Sequence, residues 1–449
     1  MRGRVFHIVG LLLLLAGATA CFKDANFEFE TSGKGSDANL TPYRTKSPDV
    51  RNVLLYIAAG FNTLSNYLAE DIADLEAGTL PGRNSSTDPV LLVLSRLPRD
   101  PMVKDFSLPS APVLFRMYAG EGGEPVRDTL FRWGEETPVS YAATITEALQ
   151  LTNDLFPGNR YGVIFSSHAS GWLPPRYYDN PSVFESGSFA APGSSVRRSS
   201  GSTSPEVFPP IDRQSFPPVK SVGMDNTEAG ADNYEMDLDA FADAIPVHLD
   251  YLIFDACLMG GIEVAYELRD KVDMVGFSQA EMLAEGFDYA HLSKYLLTKN
   301  PDPVAYCRST FNYYNTQSGI MQSATISVVD TRELDDLARV CNGLFQQYRT
   351  QIASLPGSKV QGYFQYNRHF YYDLKDILVQ AGISEEEEAR LQNALDKCLL
   401  YKAATPSVLG FSVNHYSGLS MYLPSMGSAY LDNYYRNHIA WNKATGLVN

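Results

Sequence analysis

Short apolar runs alternate with stretches of helical period along most of the chain. Val53-Leu54-Leu55-Tyr56-Ile57-Ala58-Ala59 is one such run, and its unbroken apolar character predicts a strand covered on both faces. Residues 63–75 place Leu64, Tyr67, Leu68, Ile72 and Leu75 at helical spacing and predict the helix that follows it. Buried strands are likewise predicted at 90–94, 112–118 and 161–167, and in the run that starts at Leu249 and ends on Asp255-Ala256-Cys257. Residues 141–155 predict a helix with Ser140 as its N-cap, and helices are predicted at 234–245 and 261–268. Strand, helix, strand repetition of this kind implies an α/β fold with a mainly parallel sheet between layers of helices.

The pattern fails in two places. Residues 22–50 are polar and rich in Ser, Gly, Asp and Asn, as expected of a tether. Residues 174–218 are dominated by Pro, Ser, Gly and Arg, and predict an exposed, mobile insert. Order returns at 219–224, and a strand is predicted at 274–278. Beyond 300 the pattern gives helices at 304–314, 333–352 and 385–400 and strands at 324–329 and 419–424. The expected organisation is a signal segment at 1–20, a tether at 21–50, a core at 51–300 that carries the insert, and a C-terminal α+β subdomain at 301–449 packed on the core.

Composition narrows the class. Apolar residues make up 45% of the 449 and aromatic residues 12%, the make-up of a folded protein able to bury a large core. The N-terminus reads as a secretory signal: Arg2 and Arg4, an apolar run with five leucines, then small residues before Cys21. That run is too short for a comfortable membrane span. Small residues ahead of Cys21 resemble a bacterial lipoprotein signal, although Ala18 stands where leucine is expected, and the implied location is the bacterial cell envelope, lipid-anchored at Cys21. Cleavage after Ala20 without lipidation, giving a secreted protein, is the alternative. Removing residues 1–20 takes away Arg2 and Arg4 and moves the formal net charge from −16 to −18. Such a surface repels phosphate backbones, so nucleic acid is not an expected partner, whereas basic peptides are attracted.

Four cysteines follow Cys21, too few for a disulfide scaffold in a chain this long. Cys341 and Cys398 fall in amphipathic helical patterns and read as core. Cys257 is different, because it stands at or just past the C-terminal end of a buried strand, where open α/β sheets bind ligands. His168 follows a second buried strand in the same way. A thiol and an imidazole at two strand ends are a candidate nucleophile and base, and a helix beginning soon after Cys257 would lower the thiol pKa. Packing is the competing reading for each residue taken alone. No HExxH, paired CxxC, calcium-loop spacing or phosphate-cradling glycine loop occurs, so no metal site or cofactor is read from the sequence.

Phe254-Asp255-Ala256-Cys257-Leu258-Met259 resembles the nucleophile motif of the clostripain family of cysteine peptidases, and His168-Ala169-Ser170-Gly171-Trp172 is similar to its histidine motif. Tyr56-Ile57-Ala58-Ala59, residues 263–268, residues 285–289 and residues 417–424 match further family segments in the same order. The resemblance implies a caspase-like fold, an endopeptidase of polypeptides, Cys257 as nucleophile and His168 as general base or orienter. It implies that Asp255 is the acid that pairs with Arg or Lys at the substrate's P1 position, and that the backbone N–H groups of Ala169 and Cys257 form the oxyanion hole. Helix capping is the plainer alternative for Asp255. Calcium dependence of some relatives is also implied.

The chain departs from the family pattern at Ala169, where glycine is usual. Alanine keeps the N–H donor but does not share glycine's access to positive φ. A catalytically inactive caspase-like cell-surface binding protein is therefore the competing expectation. Ser166-Ser167 and Asp288 are lesser departures. His168 and Cys257 are 89 residues apart, more than the roughly 50 of caspases, and the excess is the insert. Relatives are activated by cleavage in this region, which makes Arg197-Arg198 a candidate self-processing site; a solvated basic pair with no role is the alternative. The sequence gives no oligomeric state.

Overall fold

Strands that are apolar along their whole length need cover on both faces, and the protein gathers them into one sheet of nine. In chain order these are β1 (Asn52–Ala58), β2 (Val90–Ser95), β3 (Val113–Ala119), β4 (Pro125–Arg132), β5 (Arg160–Ser166), β6 (Leu249–Asp255), β7 (Val272–Phe277), β8 (Thr325–Asp330) and β9 (Leu399–Ala404). They lie side by side as β9-β8-β7-β6-β5-β1-β2-β3-β4. The structure is a computed structural model that describes residues 52–60, 62–83, 88–96, 111–135, 137–178, 181–185, 222–226, 233–364 and 369–449, all within the unit Thr41–Asn449. The signal, the tether, Cys21, Arg197 and Arg198 lie outside the described residues.

The five central strands, β2, β1, β5, β6 and β7, pair in parallel. Antiparallel pairs close each side: β3 and β4 beyond β2, and β8 and β9 beyond β7. The mainly parallel α/β sheet is therefore present, with antiparallel margins. Every residue of β1, β2 and β8 is buried. Helices on the sheet include α1 (Ser65–Ala77), α2 (Ala142–Leu155), α3 (Leu238–Asp243), α4 (Ile262–Glu267), α5 (Pro303–Asn315), α6 (Leu334–Ala353), α7 (Glu385–Cys398) and α8 (Ala429–His438). The residues after 300 do more than pack on the core, since β8 and β9 extend its sheet.

Several expectations are revised. Residues 234–245 divide into a strand, Asn233–Met236, and α3. The N-cap of α2 is Tyr141 and carries no side-chain bond, so Ser140 does not cap it. The helix expected to reach 400 stops at Cys398, where the chain turns into β9. The strand expected at 419–424 is two residues, Ser420–Met421, paired with Tyr372–Asp373. The insert is not exposed from its start: Tyr177 and Tyr178 are buried, and Tyr177 stacks on Tyr430 at 5.6 Å. Two adjacent aromatics hide apolar area that a solvated loop would leave in water.

Candidate active site

In β5 and β6, Ser166 pairs with Asp255, and the Ser167 N–H donates to the Asp255 carbonyl at 3.2 Å. His168 and Cys257 each stand two residues past these paired positions. Parallel strands in register thus deliver both residues at the same edge of the sheet, at the C-terminal ends where α/β sheets place ligands. Both are buried, with Cys257 9% exposed.

His168 is held from a third strand connection. Its Nε2 lies 3.0 Å from Thr63 Oγ1, in the turn between β1 and α1. Thr63 had no signal in the sequence, because its contact with His168 spans 105 positions. Cys257 Sγ accepts a hydrogen bond from the Met282 N–H at 3.2 Å and stands 3.8 Å from the Met282 carbonyl. Burial pushes the thiol up to about 12, and the carboxylate of Glu281 pushes in the same direction. The expected lowering by a helix N-terminus is not found. The next helix, α4, begins five residues later at Ile262 and has only six residues, and a helix terminus acts only within its first turn.

Ala169 is fully buried and does not have positive φ. The left-handed positions at this edge are its neighbours Gly171 and Leu258, both at φ 62°. A Cβ on Gly171 would stand 2.6 Å from the Leu258 carbonyl oxygen, so the histidine and cysteine loops touch where only glycine fits. Leu258 holds a conformation that costs an L-residue roughly 1–2 kcal/mol, and its N–H is tied to the Ala280 carbonyl at 3.0 Å. Alanine at 169 therefore carries no backbone strain. Neither the Ala169 nor the Cys257 N–H donates to a backbone carbonyl among the described residues, unlike those of Ser167 and Leu258.

Asp255 is 7% exposed. Its Oδ2 accepts from Ser166 Oγ at 3.1 Å and from the Tyr289 hydroxyl at 2.7 Å, and the Phe287 N–H adds a third bond. Burial raises its pKa while these three donors lower it. The carboxylate does not cap α4, whose N-cap is Gly261 without a side-chain bond. A turn closes over it, since a Cβ on Gly286, at φ 61°, would lie 2.5 Å from Oδ2. Beside the thiol, the Tyr178 hydroxyl donates to Glu281 Oε1 at 2.9 Å, so the first residues of the insert lie against the site. Among the described residues no group of three or more His, Cys, Asp or Glu could hold a metal ion.

The model of the clostripain family matches residues 212–445, more than half of the chain; that span contains Cys257 and begins after His168. A structure of an inactive zymogen C11 protease from Parabacteroides distasonis is 24% identical, covers 88% of this chain and 97% of its own, and superposes with a TM-score of 0.66. A secreted C11 cysteine protease from Bacteroides thetaiotaomicron, in complex with an irreversible peptide inhibitor, is 20% identical with a TM-score of 0.66, covering 88% of this chain and 99% of its own. A second structure, of a secreted C11 cysteine protease from the same organism, is 22% identical over 89% and 99%, with a TM-score of 0.64. No curated protein matches the chain.

Proposed function

The chain belongs to the clostripain family of cysteine peptidases, and from that premise we propose an endopeptidase that cuts after Arg or Lys, with Cys257 as nucleophile and His168 as base. The observation that carries this reading is the register of β5 and β6, which sets His168 and Cys257 at equivalent positions past paired residues. Thr63 engages Nε2 of His168, and the imidazole takes the thiol proton. Thiolate then attacks the scissile carbonyl, and the N–H groups of Ala169 and Cys257 receive the oxyanion. The leaving amine takes the proton back from the imidazole, and water, deprotonated by the same group, releases the acyl chain.

Asp255 is the P1 acid in this reading. A carboxylate in a desolvated pocket prefers a cation because a charge-assisted hydrogen bond contributes about 1.5–3 kcal/mol. The protein is exported and anchored at Cys21, and it activates itself by cutting at Arg197-Arg198. Fluorogenic peptides with Arg, Lys or Ala at P1, assayed in reductant with and without calcium, test the reading. Arg and Lys peptides should be turned over and Ala peptides spared. Cys257→Ala and His168→Ala should each lose roughly a thousandfold or more. Turnover of all three peptides alike would remove the P1 assignment, and turnover by Cys257→Ala at the wild-type rate would remove the nucleophile.

A further inference from the structure

The histidine of the proposed dyad has a partner outside it. Thr63 Oγ1 lies 3.0 Å from His168 Nε2, and Thr63 is exposed whereas His168 is buried. An exposed hydroxyl has solvent to bond with, so two sets of bonds that hold it against the ring are informative. The first joins the strands that carry the two residues. Ala58 of β1 pairs with Ser166 of β5. One residue further on, the Ala59 N–H donates to the Ser166 carbonyl at 3.0 Å, and the Ser167 hydroxyl donates to the Ala59 carbonyl. The residue before His168 is thus tied to the start of the turn that bears Thr63, and the tie is made by one of the two serines that depart from the family pattern.

The second set fixes the turn itself. The Asn62 N–H donates to the Gly60 carbonyl at 2.8 Å, and Asn62 Oδ1 accepts from the Leu64 N–H at 2.8 Å. The hydroxyl of Ser65, a residue 2% exposed, donates to the Asn62 carbonyl at 2.7 Å and accepts from the Asn62 N–H at 3.0 Å. Both neighbours of Thr63 are therefore anchored, and its branched Cβ restricts χ1. The chemistry of a base suits a hydroxyl at this place. Neutral imidazole has one nitrogen that donates and one that accepts, whereas in imidazolium both donate. An ionised carboxylate or a carbonyl facing Nε2 only accepts. A hydroxyl, with one hydrogen and two lone pairs, donates to a bare Nε2 and accepts from a protonated one.

We propose that Thr63 is a positioning residue of the peptidase reaction, acting through His168 by holding the imidazole in one orientation as it takes up the thiol proton and gives it back. The proposal rests on the reading of His168 as the base. Its consequence is that the Thr63 hydroxyl stabilises the imidazolium formed during the reaction while making no contact with the reacting atoms. Being neutral, it does so without the strong upward pull on the imidazole that a neighbouring carboxylate exerts.

The test is steady-state kinetics of the full-length enzyme on a fluorogenic peptide with arginine at P1. Thr63→Val exchanges the hydroxyl for a methyl group at an exposed position, so its Tm should match wild type. Its KM should stay within about twofold while kcat falls by roughly tenfold to a hundredfold, the range for a hydrogen bond to a charged group. Thr63→Ser restores the hydroxyl and should recover most of that loss. Thr63→Asp puts a carboxylate beside the ring and should raise the His168 pKa by about one unit or more, read from the imidazole NMR signals in a Cys257→Ala background. A wild-type kcat in Thr63→Val overturns the proposal, as does an equal loss in Thr63→Ser, a loss confined to KM, or a His168 titration that Thr63→Asp leaves unmoved. His168→Ala separates the two readings: wild-type turnover there removes the base itself, whereas its loss beside an unaltered Thr63→Val removes Thr63 alone.

Discussion

A thiol becomes a nucleophile only as thiolate, and the residues around Cys257 act on that step in opposite directions. Burial and the Glu281 carboxylate raise its pKa, while the Met282 N–H lowers it. Substitution of Glu281 by glutamine keeps an acceptor for Tyr178 and removes the charge. The thiol pKa should then fall, by about one unit if Glu281 acts as an ordinary neighbouring charge, giving roughly tenfold more thiolate at neutral pH. The rate of Cys257 alkylation by iodoacetamide against pH, followed by mass spectrometry, measures this; coincident curves for Glu281→Gln and wild type would remove Glu281 as a cause. At this scale Cys257, His168 and Asp255 were legible because each ends or follows an apolar run. Thr63 and Glu281 were not, because their contacts join segments far apart in sequence. The helix effect expected at Cys257 failed because α4 begins five residues past the thiol, and a helix terminus acts only within its first turn.

Element by element, the site is braced from behind by α4. Its Glu263 is wholly buried and accepts from the Tyr422 N–H and the Tyr435 hydroxyl, each at 2.8 Å, joining α4 to the segment after Ser420–Met421 and to α8. Desolvation raises its pKa from 4.5 to about 7. A carboxyl whose folded value is raised binds its proton more tightly in the folded protein, so its contribution favours folding at low pH and is lost as pH climbs from 4.5 through 7. The loss amounts to about 3 kcal/mol by pH 8. Glu263→Gln keeps an acceptor and does not titrate, so the variant should gain stability relative to wild type between pH 5 and pH 8 by an amount of that order. Urea denaturation at the two pH values reads it, and the same pH dependence in both proteins would mean that Glu263 does not titrate there. Buried strands were readable because apolar runs bounded by small residues have few other interpretations. Edge elements were not: β4 has only half-buried and exposed positions, and β9 begins at Leu399, where apolar residues still follow on from α7.

For the molecule as a whole, the decisive feature is that the chain leaves the sheet after β5 and returns to it as the adjacent strand, β6. Everything from β1 to β5 precedes the insert and everything from β6 to β9 follows it, yet the two groups share the parallel ladder from Gly162↔Tyr251 to Ser166↔Asp255. The parallel character of the central strands was implied by the sequence through its strand and helix alternation. The antiparallel margins were not, since pairing direction depends on which edge a connection returns to. A cut at Arg197-Arg198 would break the chain without breaking that ladder, and both residues of the proposed dyad would stay at the same sheet edge. Purified wild type should therefore give two fragments in denaturing electrophoresis, with a new N-terminus after Arg197 or Arg198, and a single species in gel filtration under native conditions. Cys257→Ala should stay intact until wild-type enzyme is added. Equal cleavage of Cys257→Ala alone would assign the cut to another protease, and separation of the fragments in native buffer would show that the β5–β6 ladder does not hold the halves together.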